Sequence, residues 1–203
     1  KTCFDVRAEW AVERFMLTFK CTLCGKCCEA GGPELTIKEA LRFGASFPLA
    51  VRVVAVRQGR NPDVLIKHVK DLGFRIRPAP PGKENLTYFV YGNVFVTVPE
   101  GRPCPALRHE KCSLHPDKPL ACAAAPFAAG LPPQLQKVAL DRWSSWECCG
   151  HAEGELIYDD ERIVSSSFRR DHRRTIGGMK SEQHLFASLL ERIPKDILVV
   201  GPH

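Results

Sequence analysis

After Asn61-Pro62, the residues Val64, Leu65, His68, Val69 and Leu72 recur at the three- and four-residue intervals of a helix. Asn61 reads as its cap, Pro62 suits the first turn, and Gly73 closes the segment. Thr36-Ile37-Lys38-Glu39 has the Thr-x-x-Glu form of a capping box and predicts a short helix through Phe43, ended by Gly44. Tyr88 to Val98, YFVYGNVFVTV, is rich in β-formers and is split by Gly92-Asn93, which reads as a β-hairpin. Gln136 to Trp143 is a further strand candidate. Residues 160–176 and 181–193 read as two helices broken at Gly177-Gly178, with Ser181 capping the second. The longest apolar run, Pro48 to Val56, contains Arg52 and is too short for a bilayer, so no membrane span is expected.

Cys104 to Phe127, CPALRHEKCSLHPDKPLACAAAPF, follows neither period. Such a segment is expected to be held by metal bonds rather than by a strand ladder. With no repeat and no long linker, residues 1–203 read as one α+β domain. Its expected form is a small antiparallel sheet plus several helices around an irregular cysteine-rich core.

The cysteines carry the candidate chemistry. There are ten in 203 residues, and Cys21, Cys24, Cys27 and Cys28 fall within eight positions of FKCTLCGKCC. A disulfide scaffold spaces its bridges along the chain, and bridges this close would be strained. Metal ligation in a reducing compartment is the better reading, which makes the cytoplasm the expected location; no secretory signal pattern is visible. Cys-x2-Cys brings two sulfurs to one metal through a tight turn that Gly25 frees. Cys27 extends that arc, whereas Cys28 must point elsewhere, so the pair serves two sites or only one of them ligates. Cys104, Cys112 and Cys122 form a second group, and Cys148-Cys149 precede Gly150. Cys21, Cys24, Cys27, Cys28, Cys104, Cys112, Cys122 and Cys148 make eight candidate ligands, enough for two four-cysteine centres or for one with others free. Cys3 and Cys149 read as small buried apolar residues.

Zinc and iron both accept four thiolates in tetrahedral geometry. The arc Cys21-Cys24-Cys27 is similar to the bacterial ferredoxin run and favours an iron–sulfur cluster of the [4Fe-4S] type, with zinc the alternative. His109, His115 or His151 could complete a Cys3His site, although the ordinary reading of each is a surface or hydrogen-bonded histidine. Trp143 and Trp146 flank the last block and could shield a cluster or simply pack in the core. The formal charge of +6 counts cysteines as neutral. Eight thiolates with two dications would bring it to about +2, so the basic balance argues only weakly for nucleic acid. Arg169, Arg170, His172, Arg173 and Arg174 form a basic run, ordinarily a solvated face, that gives nucleic acid its best case.

Phe19 to Cys28, with CPALRHEKCSLHPDKPLAC downstream, resembles the YkgJ-type CxxCxxCC family of zinc- or iron-chelating proteins. The likeness spans about 19–154: Cys21, Cys24, Gly25, Cys27 and Cys28, then a helix, then Cys104, Pro105, Leu107 and Cys112, then Cys122 and Pro126, then Cys148, Gly150 and Gly154. Residues 155–203 read as a helical extension outside it. Lys118-Pro119 stands where the family has Arg-Pro, and Ala123 and Ala125 replace an arginine and an aromatic residue. A local likeness to flagellin lysine N-methylases, which carry an iron–sulfur cluster, implies iron–sulfur over zinc and opens an enzymatic reading with a protein substrate. No glycine-rich cofactor loop, catalytic triad or carboxylate pair is legible, so no catalytic residue is named.

Overall fold

The computed structural model describes residues 14–29, 31–75, 87–98 and 102–192. Among the described residues, three antiparallel sheets and seven α-helices make an α+β fold. The largest sheet is built on β5 (Tyr88–Val96). One side of β5 pairs with β3 (Leu49–Arg57) over nine positions, from Leu49 opposite Val96 to Arg57 opposite Tyr88. Its other side takes two short strands in tandem, β2 (Glu34–Leu35) opposite Phe95 and Val94, and β4 (Phe74–Arg75) opposite Val90 and Phe89.

The expected hairpin at Gly92-Asn93 is therefore one unbroken strand, and the apolar run before Arg57 is its partner. Gly92 serves a close approach and not a turn: a Cβ there would lie 2.2 Å from the ring of Phe186. In the gap between β2 and β4, the Gln183 side chain completes the ladder. Its Oε1 accepts from Gly92 N at 2.7 Å, and its Nε2 donates to Gly92 O at 2.8 Å. Gln183→Leu would leave both buried backbone groups unpaired. The expected loss is about 2 kcal/mol or more in denaturant unfolding; a loss within about 0.5 kcal/mol would refute this role for Gln183.

Helix α2 (Ile37–Phe43) has the predicted capping box: Thr36 Oγ1 accepts from Glu39 N, and the Glu39 carboxylate accepts from Thr36 N at 2.9 Å. The other oxygen of Glu39 accepts from Leu120 N at 2.7 Å, which fixes the start of α4 (Leu120–Ala124). Helix α3 (Asp63–Leu72) buries Ile66, Val69 and Leu72 against Val56, Phe89, Tyr91 and Met179. Its cap is Pro62 and not Asn61, whose Oδ1 instead accepts from Arg57 N at 2.8 Å and closes the turn after β3.

A second sheet joins β1 (Met16–Phe19), β8 (Glu155–Asp159) and β9 (Arg162–Ile163). Asp160 and Glu161 form the β8–β9 turn at positive φ, so the helix expected from residue 160 begins later. That helix, α6 (Ser166–Ser181), is capped by Ser165 and runs straight through Gly177-Gly178. Gly178 lies against Thr36, where a Cβ would stand 2.7 Å from Cγ2, so packing outweighs the helix cost of glycine. Ser181 ends α6 rather than capping α7 (Gln183–Arg192). Gln136 to Leu140, expected in a strand, is helix α5, entered through a 3-10 turn at Pro133–Leu135. The fully buried Gln136 amide donates to the carbonyls of Ala128 and Leu131, which holds that helix to the preceding loop.

His172 on α6 is buried beside Gln136 and Ala128, and burial lowers its basicity. A depressed native value means the unfolded chain takes the proton first. Stability should therefore fall as pH drops below about 6.5, by up to about 1.4 kcal/mol per pH unit, until the native value is passed. His172→Gln should flatten this part of the curve of melting temperature against pH; an identical slope in both proteins would count against it.

Candidate metal centre

Residues 20–25 link β1 to α1 (Lys26–Glu29), a single turn that carries Cys27 and Cys28. Leu23 and Gly25 both have positive φ, 60° and 73°, which folds the loop into a tight arc. A Cβ on Gly25 would stand 2.8 Å from Glu110 O, so the arc lies directly on a hairpin. That hairpin is β6 (Leu107–Arg108) and β7 (Lys111–Cys112), turned at His109 and Glu110, both at positive φ. The remaining blocks join through the backbone. Cys104 N donates to Cys28 O at 2.7 Å, Lys20 N to Cys148 O at 2.9 Å, and Gly150 N to Thr18 O at 2.9 Å. The segment expected to be irregular thus holds a hairpin, a 3-10 turn at His115–Asp117 and α4, which bears Cys122.

Every expected ligand except Cys104 lines one cavity of about 230 Å³, with no carboxylate among its lining residues. Cys104 lines an adjoining cavity of about 480 Å³, which shares Cys27, Cys28, Cys112 and Cys122 with the first. Among the described residues, no three cysteine, histidine or acidic side chains already stand as ligands around a single ion; the sulfurs surround a space. Thr22 lines the smaller cavity with its hydroxyl buried and without a partner. Thiol donors around a cavity and an orphaned hydroxyl able to donate to sulfur fit a thiophilic metal centre.

A family model described as "CxxCxxCC: Putative zinc- or iron-chelating domain" matches residues 20–149. The chain belongs to the CxxCxxCC family. Comparison with curated proteins and with solved structures gave no match.

The electrostatics of this CxxCxxCC domain follow from the crowding of its sulfurs. Interaction with Cys104 first and then Cys27 holds the Cys28 thiol protonated, and both neighbours are drawn down beside it. Lys118 adds to the lowering at Cys27. Cys122 is pushed up to about 12, first by burial and then by the charges of Cys27, Cys104 and Cys112. Cys148 is likewise pushed up to about 12, by burial and then by Cys149 and Cys24. Without a cation, Cys28, Cys122 and Cys148 are held protonated; a bound metal reverses that balance and takes its ligands as thiolates.

Cys149 lines neither cavity and packs in the core with Leu17, Ile157 and Tyr158, whereas Cys3 lies outside the described residues. Of the three candidate histidines, His115 lines the smaller cavity, His109 is exposed in the hairpin turn, and His151 accepts from Glu153 N. Trp143 lines both cavities, with Trp146 packed on it at 4.3 Å. Thr22, Lys118 and Phe168 also border the site. Thr22 and Phe168 carry no sequence signal, and Lys118 shows only as a lysine where the family has arginine.

Proposed function

We propose that this domain holds an iron–sulfur centre of the four-iron type. Its ligands are drawn from Cys21, Cys24, Cys27, Cys28, Cys104, Cys112, Cys122 and Cys148. The observation that carries this is the ring of sulfurs around one cavity without carboxylates. A cluster is a body of several atoms whose ligands sit apart, whereas zinc draws four sulfurs to one point. Thr22, Trp143 and Phe168 line that cavity, where the hydroxyl would donate a hydrogen bond to cluster or ligand sulfur and the two rings would exclude water. Bound there, the cluster would supply one-electron chemistry or structural cross-linking. Protein purified without air should be brown, with broad absorption near 400 nm and equal iron and sulfide. About four irons per chain mark one centre and about eight mark two. A colourless protein with stoichiometric zinc refutes the iron assignment.

A second reading, an enzyme, is favoured by the 480 Å³ cavity beside these cysteines, a size suited to a small ligand. Its wall is largely apolar, with Arg142 and Glu34 as polar groups. This makes it a candidate substrate pocket next to the centre. Ala128→Trp should fill it, abolishing uptake of an apolar fluorescent probe while leaving metal content unchanged; equal uptake would remove this reading.

A further inference from the structure

We propose that the outer stripe of α6 docks the phosphate backbone of a nucleic acid. Ser166, Arg169, Arg170, Arg173 and Arg174 follow the i, i+3, i+4, i+7, i+8 pattern. That spacing gathers side chains on one helix face, and in a core-facing helix it is filled by apolar residues. Here four guanidiniums line a single open hollow of about 400 Å³, while His172, Thr175 and Met179 bury the other side.

Three features set this stripe apart from an ordinary solvated face. Arg169 and Arg173, and likewise Arg170 and Arg174, are like charges one turn apart, which destabilises a helix. The first turn of α6 holds no acid to offset them. Compensation is slight: Asp171 stands 3.6 Å from Arg174 and 3.9 Å from Arg170, and among the described residues Arg173 makes no ion pair. Arg169 is anchored instead, donating to the carbonyls of Ile163 and Val164, which fixes one end of the stripe. Like charges stacked along one helix face with so little internal compensation are explained by an anionic partner.

The shape favours a polymer over a single anion. Eight residues of helix run about 12 Å, enough to follow several phosphates of one strand. The hollow has no apolar or aromatic lining residue, so it offers neither base stacking nor insertion into a lipid surface. Arginine forks on phosphate oxygens would give affinity without sequence preference. The attraction rests on the stripe itself, since metal-bound thiolates would bring the formal charge of +6 down to about +2. The stripe lies outside the cysteine cavities, so it stands or falls apart from the metal assignment.

The test is fluorescence anisotropy of a labelled 20-nucleotide single strand and a 20-base-pair duplex with the metal-loaded protein, across about 50–200 mM salt. The logarithm of the binding constant should fall with log salt at a slope of about −2 to −4. Arg173→Ala with Arg174→Ala should weaken binding about tenfold or more at the lowest salt and reduce the slope by about 2, with visible spectrum and melting temperature unchanged. Absence of binding at low salt, or unchanged binding by the double variant, overturns the proposal. So does binding to phosphatidylserine vesicles but not to nucleic acid, or full displacement by low millimolar inorganic phosphate.

Discussion

Removing the metal, by chelator alone for zinc or by oxidation with chelator for an iron–sulfur centre, is expected to abolish cooperative melting of the segment from Cys104 to Phe127 and the loop after β1. The elements there are two to five residues long, too short to persist by their own hydrogen bonds. The buried apolar cluster beneath the Cys104 end is only Cys28, Cys104 and Ala106, and the main core is reached at the far end by Phe127. Backbone ties to the rest include the bonds from Cys104 N to Cys28 O and from Leu120 N to Glu39. Binding energy at such a site is folding energy, about 10–16 kcal/mol for structural zinc, as large as the whole stability of an ordinary domain. Near-ultraviolet circular dichroism should report it, because Trp143 borders both cavities and packs on Trp146. An unchanged spectrum with a melting temperature within about 3 °C, less than 1–2 kcal/mol for a chain this size, would show that the fold does not need the metal.

Gly25→Ala is expected to remove most of the metal, whereas Gly150→Ala keeps it. Both glycines have φ near +70°, where an L-residue costs about 1–2 kcal/mol. The difference lies in their surroundings. A Cβ at Gly150 meets nothing within 4 Å, while one at Gly25 meets the backbone oxygen of Glu110 at 2.8 Å and Leu107 Cδ1 at 2.9 Å. Relieving that contact must lift the loop of Cys21 and Cys24 from the hairpin that carries Cys112. Gly150→Ala should lower the melting temperature by about 2–8 °C with full metal content. Gly25→Ala should lower it further and lose metal; equal metal content in the two variants would contradict the close packing of loop on hairpin.

Local chemistry was legible in particular residues. Thr36 and Glu39 announce their helix because a capping box is complete within four positions. Val64 to Leu72 announce theirs because the apolar face repeats within one helix. The cysteine spacing and the Pro105, Leu107 and Gly25 around it led to the family, which the match over residues 20–149 bears out. The errors fall where a distant partner decides. Gly92-Asn93 looks like a turn until Phe186 and Gln183, about ninety residues away, occupy that space. Gly177-Gly178 looks like a break until Thr36, the cap of α2, meets Gly178.

What the sequence determined alone is the identity and short-range order of its sulfurs, the α+β class and the charged stripe on α6, since spacing along a chain fixes which side chains share a turn. Only the tertiary structure decided that β5 runs unbroken and that Cys104 opens onto the larger cavity. It also decided that Thr22 is left without a partner and that Lys118 lines the same cavity as Cys27. Those outcomes depend on contacts between segments far apart in the chain. Nothing in the local pattern states which distant surface a buried group will meet.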